Sequence, residues 1–340
     1  MTTDQMVAKH VEPKPPLPVD HSGHSADSAP SERDVRLNFW FGPKKIGSAK
    51  FQLQVNPGSI DLFSADPPQA PDQSTVNPKL DGVYRPSEPL SPATPVLTVG
   101  NTHIRYIENR FERRYIDLRT DFETYMSQFS GKTRSSIKRK ARKFKDASNG
   151  EVDWSVYRSA AEMDRFHVLA SDISKLTYQE KLFDAGIPTD AKFLDEMRTL
   201  ARADAVRGFI LFLGDKPISY LYLPVDNGRV IYNYLGFDPA YAKYSPGTVL
   251  QLLALEFLFS ENTYRIFDFT EGDGAHKKLF STNARLCGNV FYLKPTFKNR
   301  LIVRLHLVVG WGSAFANGLI VKLGLKERLR QMLRGQLRKS

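Results

Sequence analysis

The residues between Tyr244 and Lys277 offer two kinds of chemistry. Tyr244-Ser245-Pro246-Gly247-Thr248 has the make-up of a helix start. Proline is welcome in a first turn, where its missing N–H would have had no partner. Ser245 is expected as the N-cap, and Gly247 lets another group come close to the backbone. Free N–H groups and the helix dipole at such a start favour an anion. An ordinary capped helix is the other reading. The second stretch is Asp268-Phe269-Thr270-Glu271-Gly272-Asp273-Gly274, followed by His276-Lys277-Lys278. Three carboxylates stand there beside two glycines and two lysines, at the end of an expected strand. Asp268 or Glu271 is a candidate proton acceptor, and Lys277 a candidate partner for a phosphate or a developing oxyanion. His276 would add a group that titrates near neutral pH. A solvated turn is the alternative.

A third feature is basic. Lys132 to Lys145 (KTRSSIKRKARKFK) holds eight Lys or Arg and no acid. Nucleic acid is a natural partner for such a run, but only Phe144 is available for stacking, which argues against it. A solvated or phosphate-facing helix is the preferred reading. The whole chain of 340 residues carries a net charge of +11, which favours anionic partners without choosing among them. One cysteine, Cys287, excludes an intrachain disulfide and a CxxC metal site. The seven histidines are scattered, with His10, His21 and His24 in a polar tail, so no metal is expected. A reducing, cytoplasmic setting fits this usage.

Several elements must position these groups. Met1 to Pro30 is polar and has no apolar core of a signal peptide. Arg36–Phe41 and Lys50–Val55 alternate like two strands of a hairpin. Pro57–Pro95 is rich in Pro, Asp and Ser, and is expected to be an irregular excursion. Thr94–Val99 and His103–Ile107 suggest a second hairpin, and Tyr115–Leu118 a short strand. Asp121 is placed to cap a helix ending near Phe129. Helices are expected over Lys132–Asp146, Ala160–Ile173 and Asp190–Ala203, and a strand over Val152–Tyr157. Val206–Leu213, Ile218–Val225 and Val230–Leu235 read as an antiparallel meander. An apolar helix opens at Ser245 and runs to about Phe259. Strands follow at Arg265–Phe269 and Asn289–Leu293. This order predicts an α+β or mixed α/β class with helices packed on a sheet. Leu301–Lys339 begins apolar and ends basic. A helix docked on its own domain is the preferred reading, membrane-surface contact the second, and a span of the bilayer the third.

Taken together, Ser245-Pro246-Gly247-Thr248 and Asp268, Phe269, Gly272, Asp273 and Lys277 resemble the GNAT-like acyltransferases. They resemble in particular the BioF2-like or CelD-like group, which is related to the FemAB peptidyltransferases. Phe237-Asp238-Pro239-Ala240-Tyr241 and Ser174 to Gln179 fit the same pattern. Thr270 stands where the family has Gly, and His276 where it has Tyr; a tolerated replacement is the preferred reading of His276. The resemblance covers about Asp121 to Lys294. It implies a GNAT-like acyl-CoA N-acyltransferase fold, a central and mostly antiparallel sheet with helices on both faces. Acetyl-CoA or another acyl-CoA would be the donor, and an amine or hydroxyl of an amino-sugar, glycan or lipid-linked compound the acceptor. In that class one strand splays from its neighbour and the cofactor sits in the gap. Here the gap maps to the end of Val230–Leu235, with the pyrophosphate at Tyr244 to Thr248. Leu235 and Tyr244 to Thr248 are thus the implied cofactor residues. Asp268, Glu271, His276 and Lys277 are the catalytic candidates, and Tyr178, Lys138, Arg142 and Asp273 the acceptor-side ones. The implied organisation is a disordered tail over 1–33 and strands with a proline-rich excursion, a reduced first GNAT-like half, over 34–112. The acyltransferase domain follows over 113–298, and a basic amphipathic helical tail over 299–340, peripheral at the inner membrane surface. An aminoacyl transferase using charged tRNA, and a membrane-surface binding protein without activity, are the alternatives.

Overall fold

The computed structural model describes residues 30–56, 62–63, 69–72, 76–177, 186–272 and 274–322. In chain order the strands are β1 Ser31–Phe41, β2 Lys44–Val55, β3 Gly82–Pro89, β4 Leu97–Val99, β5 Ile104–Asp117, β6 Trp154–Tyr157, β7 Val206–Leu213, β8 Lys216–Asp226, β9 Arg229–Ile231, β10 Tyr234–Phe237, β11 Ile266–Asp268 and β12 Asn283–Leu293. The helices are α1 Phe122–Ser127, α2 Gly131–Ala147, α3 Ala160–Ser174, α4 Ala191–Arg202, α5 Pro246–Glu261, α6 Ala275–Phe280 and α7 Phe297–Lys322. A 3-10 helix at Pro239–Tyr244 leads into α5. Two compact units result, one holding Glu112–Ala284 and the other Asp27–Phe111 with Arg285–Ser340.

The first unit is built on the meander. Asn227 and Gly228 both take positive φ (50° and 75°), the requirement of a tight two-residue hairpin turn between β8 and β9. Alternation then decides which helix each strand residue meets. Phe209, Leu211, Leu221 and Leu223 pack with Val249, Leu250, Ala254 and Leu258 of α5. Their neighbours Val206, Ile210, Tyr220 and Tyr222 face the other way, against Met163, Phe166 and Ala170 of α3 and Met197 of α4. Helices therefore cover both faces, and both faces are apolar. At the helix starts Asp121, Ser130, Ser159 and Asp190 accept backbone N–H bonds, as their residue types predict.

In the second unit β1 and β2 form a long antiparallel hairpin. β2 runs parallel to β3, and β3 pairs antiparallel with β12. Leu37, Phe51, Leu53, Ile104, Tyr106, Phe291 and Leu293 form its core with Val303 of α7.

Four expectations need correction. Residues 57–95 are not wholly irregular, because they contain β3. Its Pro86 and Ser87 face Asn289 at a register break, with Ser87 at φ 56°, so the proline leaves the ladder instead of disrupting it. The predicted strand at Tyr115–Leu118 is the far end of the fourteen-residue β5. The turn after Asp268 contains a short helix, α6. Residues 285–322, including α7, fold with the N-terminal strands instead of closing the 113–298 region or standing as a separate tail. Among the described residues no helix is long and apolar enough to cross a membrane. Of the tail expected over 1–33, residues 31–33 already belong to β1, while 1–29 and the basic end beyond Lys322 lie outside the described residues.

Candidate functional site

A break in register opens the sheet of the first unit. β9 pairs with β8 through Val230 and Val225, whereas β10 pairs through Tyr234 and Tyr222. The second pairing is slipped by one residue, so an extra residue is accommodated between Val230 and Tyr234, as in a β-bulge. The packing shows the same switch. Val230 and Tyr232 lie in the core with α5, but after the slip it is Leu235 that packs there. Tyr234 turns to the α3–α4 side, with its ring edge-on to Phe193.

The slip also parts two strands. β9 runs parallel to β11, with Val230 opposite Phe267 and Ile231 opposite Asp268. The Tyr232 N–H still donates to the Asp268 carbonyl at 2.9 Å. Beyond it, β10 pairs with β8 alone among the described strands, while Phe269 donates to the Arg114 carbonyl and follows β5. A wedge opens between β10 and the end of β11. The Asp238 N–H donates to Ile218 on β8, so alternation turns the backbone N–H and C=O of Leu235 and Phe237 to the open edge.

Asp268 sits at the end of β11 and is fully buried. Arg113 of β5 donates to both its oxygens, with Nε at 2.9 and 3.1 Å and Nη2 at 2.6 Å. Arg229 Nη1 lies 3.6 Å away, and the Thr270 N–H donates to Oδ1 at 2.8 Å. Burial alone would raise this carboxyl. The Arg113 guanidinium, then Arg229 and the Thr270 N–H, hold it below the usual carboxylate range instead. The expectation that Asp268 accepts a proton is therefore corrected: its lone pairs are committed to a buried ion pair that fixes β11 to β5. Thr270 adopts φ 59° to make its bond to Asp268, the left-handed conformation in which a β-branched residue is strained.

The other candidates cluster on α6. Lys277 is buried, and its Nζ donates to the Glu271 carbonyl at 2.5 Å. Burial pushes the ammonium down to about 8; Asp268 opposes that shift, Arg113 adds to it and Glu271 opposes it. The His276 ring lies 5.3 Å from that of Tyr232, at the closed end of the wedge. Burial against its neighbours, and secondly the Lys277 cation, push the imidazole down to about 4. His276 is exposed by surface area, so water reaches the ring and the direction of the shift, downward, is what stands. Glu271 is half-buried.

The predicted anion seat is present, with a different cap. Ser245 takes a left-handed conformation (φ 55°) and its side chain makes no capping bond, because an N-cap serine needs extended backbone. Its N–H turns back to Ala242, and its carbonyl receives the N–H groups of Thr248 and Val249. Among the described backbone bonds none takes the Gly247 N–H, which stands at the start of a sixteen-residue helix. A Cβ on Gly247 would lie 3.0 Å from Leu235 Cδ2, so this glycine also lets α5 approach β10. Tyr244 lies just before the seat, its ring 4.8 Å from Lys243 Nζ. Asp238 caps the 3-10 helix through the Ala240 N–H and pairs with Lys216 at 2.9 Å.

Lys138 and Arg142 are exposed on α2, which packs against α5 and the 3-10 helix. Lys138 lines a cleft of about 440 Å3 with Arg134, Phe122, Met126 and Leu252; Arg142 does not. Tyr178 and Asp273 lie outside the described residues. Sequence reasoning missed Arg113, Arg229 and Tyr232. Arg113 and Arg229 are ordinary strand arginines until β11 is placed beside them. Tyr232 lies inside the strand expected over Val230–Leu235, and only the slip marks it. Among the described residues no group of His, Cys, Asp or Glu could hold a metal ion.

Residues 131–278, from α2 to the first turns of α6, match the family model of the acetyltransferase (GNAT) domain. No curated protein matches the chain. Among solved structures the chain is similar to FemX, with 11% identity and a TM-score of 0.47 over 80% of this chain and 90% of that one. It is similar to L-PGS from Bacillus licheniformis, with 10% identity and a TM-score of 0.40 over 68% of this chain and 72% of that one. A tandem GNAT protein from the clavulanic acid biosynthesis pathway is 11% identical, with a TM-score of 0.34 over 63% of this chain and 65% of that one. The fold is GNAT-like, a mixed sheet with helices.

Proposed function

We propose that the protein is an acyl-CoA-dependent N- or O-acyltransferase that moves an acetyl or longer acyl group to an amine or hydroxyl. The observation that carries this reading is the one-residue slip before β10. It frees the backbone edge of Leu235 and Phe237 beside β11, inside the segment that matches the GNAT domain. An acyl-CoA brings an activated thioester carbonyl. The open N–H groups of Leu235 and Phe237 suit a carbonyl oxygen, and preorganised N–H donors stabilise charge as it develops there. The Gly247 N–H and the α5 dipole suit a pyrophosphate. Lys277 places a cation at the end of β11, and Glu271, with water access, replaces Asp268 as the proton acceptor. The acceptor class we favour is an amino-sugar, glycan or lipid-linked compound, with Arg134 and Lys138 beside the α2 cleft for its anionic group.

Titration calorimetry with acetyl-CoA and longer thioesters is the first test. Binding of at least one is expected, and binding of none would sink the proposal. The double substitution Lys277→Ala, Glu271→Ala is expected to abolish turnover while donor binding persists. Wild-type turnover in that variant would show that the residues are misassigned. One observation favours a second donor: the eight basic residues of α2 stand beside the 3-10 helix that leads to the anion seat. Transfer from aminoacyl-tRNA, with no thioester turnover, would establish that reading instead.

A further inference from the structure

Helix α7 has two apolar faces, and its own unit covers only one. Val303 is fully buried among Leu37, Phe51 and Phe291. On the same side His306 Nδ1 lies 2.5 Å from the Tyr106 hydroxyl, and Nε2 3.2 Å from the Asn38 carbonyl. Phe297, Leu301, Leu305, Val308, Trp311 and Phe315 are 52% to 82% exposed. Steps of three and four residues put all six on one stripe, away from Val303. The β1–β2 hairpin adds exposed Phe41 and Ile46. It is tied to the helix by the Gly42 N–H donating to Ser313 Oγ at 2.8 Å, and the Phe41 ring reaches the bare face of Gly312. A continuous exposed apolar surface of this kind marks an interaction site.

The charges beside the stripe are of one sign. From Phe297 to Gly318 there is no Asp or Glu, while Lys298, Arg300 and Arg304 are present. Lys44 and Lys45 are exposed at the hairpin tip. Arg304 falls on the stripe itself, where a long stem can lie on apolar surface with its head in the polar layer.

We propose that α7 and the tip of the β1–β2 hairpin form a docking face for an anionic lipid bilayer. The helix lies in the plane of the interface, with Trp311 and Phe315 at the headgroup–acyl boundary and the lysines and arginines at lipid phosphates. Charge selects this occupant. Two copies of the face brought together about a two-fold axis would set cations against cations with no acid on the helix to answer them. An anionic surface answers all of them at once. The inference does not depend on which donor the first unit uses.

The test is co-sedimentation of the full chain with vesicles of phosphatidylcholine, and of phosphatidylcholine mixed with phosphatidylglycerol, followed also by tryptophan emission. Binding to the anionic vesicles with a blue shift is expected, and loss of that binding in high salt. Trp311→Ser with Phe315→Ser is expected to weaken vesicle binding by at least about tenfold. Lys298→Glu with Arg304→Glu is expected to abolish the preference for phosphatidylglycerol. All four side chains are exposed, so the melting temperature should hold, and a held melting temperature makes the result readable. No wild-type binding to either vesicle overturns the proposal. So does undiminished binding of the Trp311/Phe315 variant, which would move lipid contact to the basic segment beyond Lys322. A dimer in sedimentation equilibrium that the same substitutions dissolve, without vesicle binding, would assign the face to a second copy.

Discussion

A carboxylate with no water around it must be answered by cations, and Asp268 is answered by Arg113 and Arg229. Removing one partner of such a pair leaves a charge stranded in the interior, which costs about 3–5 kcal/mol. Arg113→Ala is therefore expected to lower stability by about that amount in urea melts. A small effect there would contradict the buried pairing. Thr270 is a milder case. Its left-handed backbone is imposed by the bond to Asp268, so Thr270→Gly should stabilise the protein by about 0.5–1 kcal/mol, read as a higher melting temperature. Lys277 carries a sign that can be checked. Its folded pKa, about 8, lies below the ordinary 10.5, so the unfolded chain binds more protons between those values. Stability must then rise with pH across that window. Relative to Lys277→Met, the wild type should gain about 2 kcal/mol between pH 7.5 and pH 9.5. A flat difference would mean that the ammonium is not buried as described.

At the level of elements, the decisive feature is the seam between β9 and β10. Its geometry depends on β10 lying close on β8, and Gly236 permits that. A Cβ there would meet the Tyr220 ring at 2.4 Å. Gly236→Ala should cost about 1–3 kcal/mol and should reduce donor binding more than a surface glycine change such as Gly214→Ala. Equal donor affinity in the two variants would detach the site from β10. Much of this level was legible in the residues. The meander over 206–235, the helix expected to open at Ser245 and the strand expected over Arg265–Phe269 follow from alternation and from turn and cap residues. The slip was not legible, because Val230, Tyr232, Tyr234 and Leu235 satisfy an unbroken strand pattern equally well. The Ser245 cap was misread because the preceding 3-10 helix forces a left-handed residue there, and a serine does not announce that. The α6 helix is only six residues long, too short for periodicity to reveal. Asp268 reads as reactive on its own, since its partners lie 155 and 39 positions away and nothing local marks them.

At the scale of the whole molecule, the match to the acetyltransferase domain begins at residue 131, after Arg113. A chain that starts at Gly131 would keep Asp268 but lose the guanidinium that neutralises it and the β5 strand beside it. In the full chain Asp268→Asn should be destabilising. In the shortened chain the same substitution should cost less, because Arg229 is then the one cation left of the two that answer Asp268. Measuring both pairs by chemical denaturation checks the difference, and an equal cost in both would refute it. The Arg113–Asp268 pair also sets an order of events. During synthesis Arg113 emerges long before Asp268, and a loop spanning 155 positions must close before they meet. Until then β5 has a bare edge on that side and the arginine stays in water. The meander and its helices can assemble from neighbouring segments, while β11 waits for a distant one. The end of β11, where Lys277 and the wedge come together, is thus the part of the first unit that a newly made chain completes last. A pause or truncation shortly before Asp268 would leave a folded-looking meander with its candidate site unfinished.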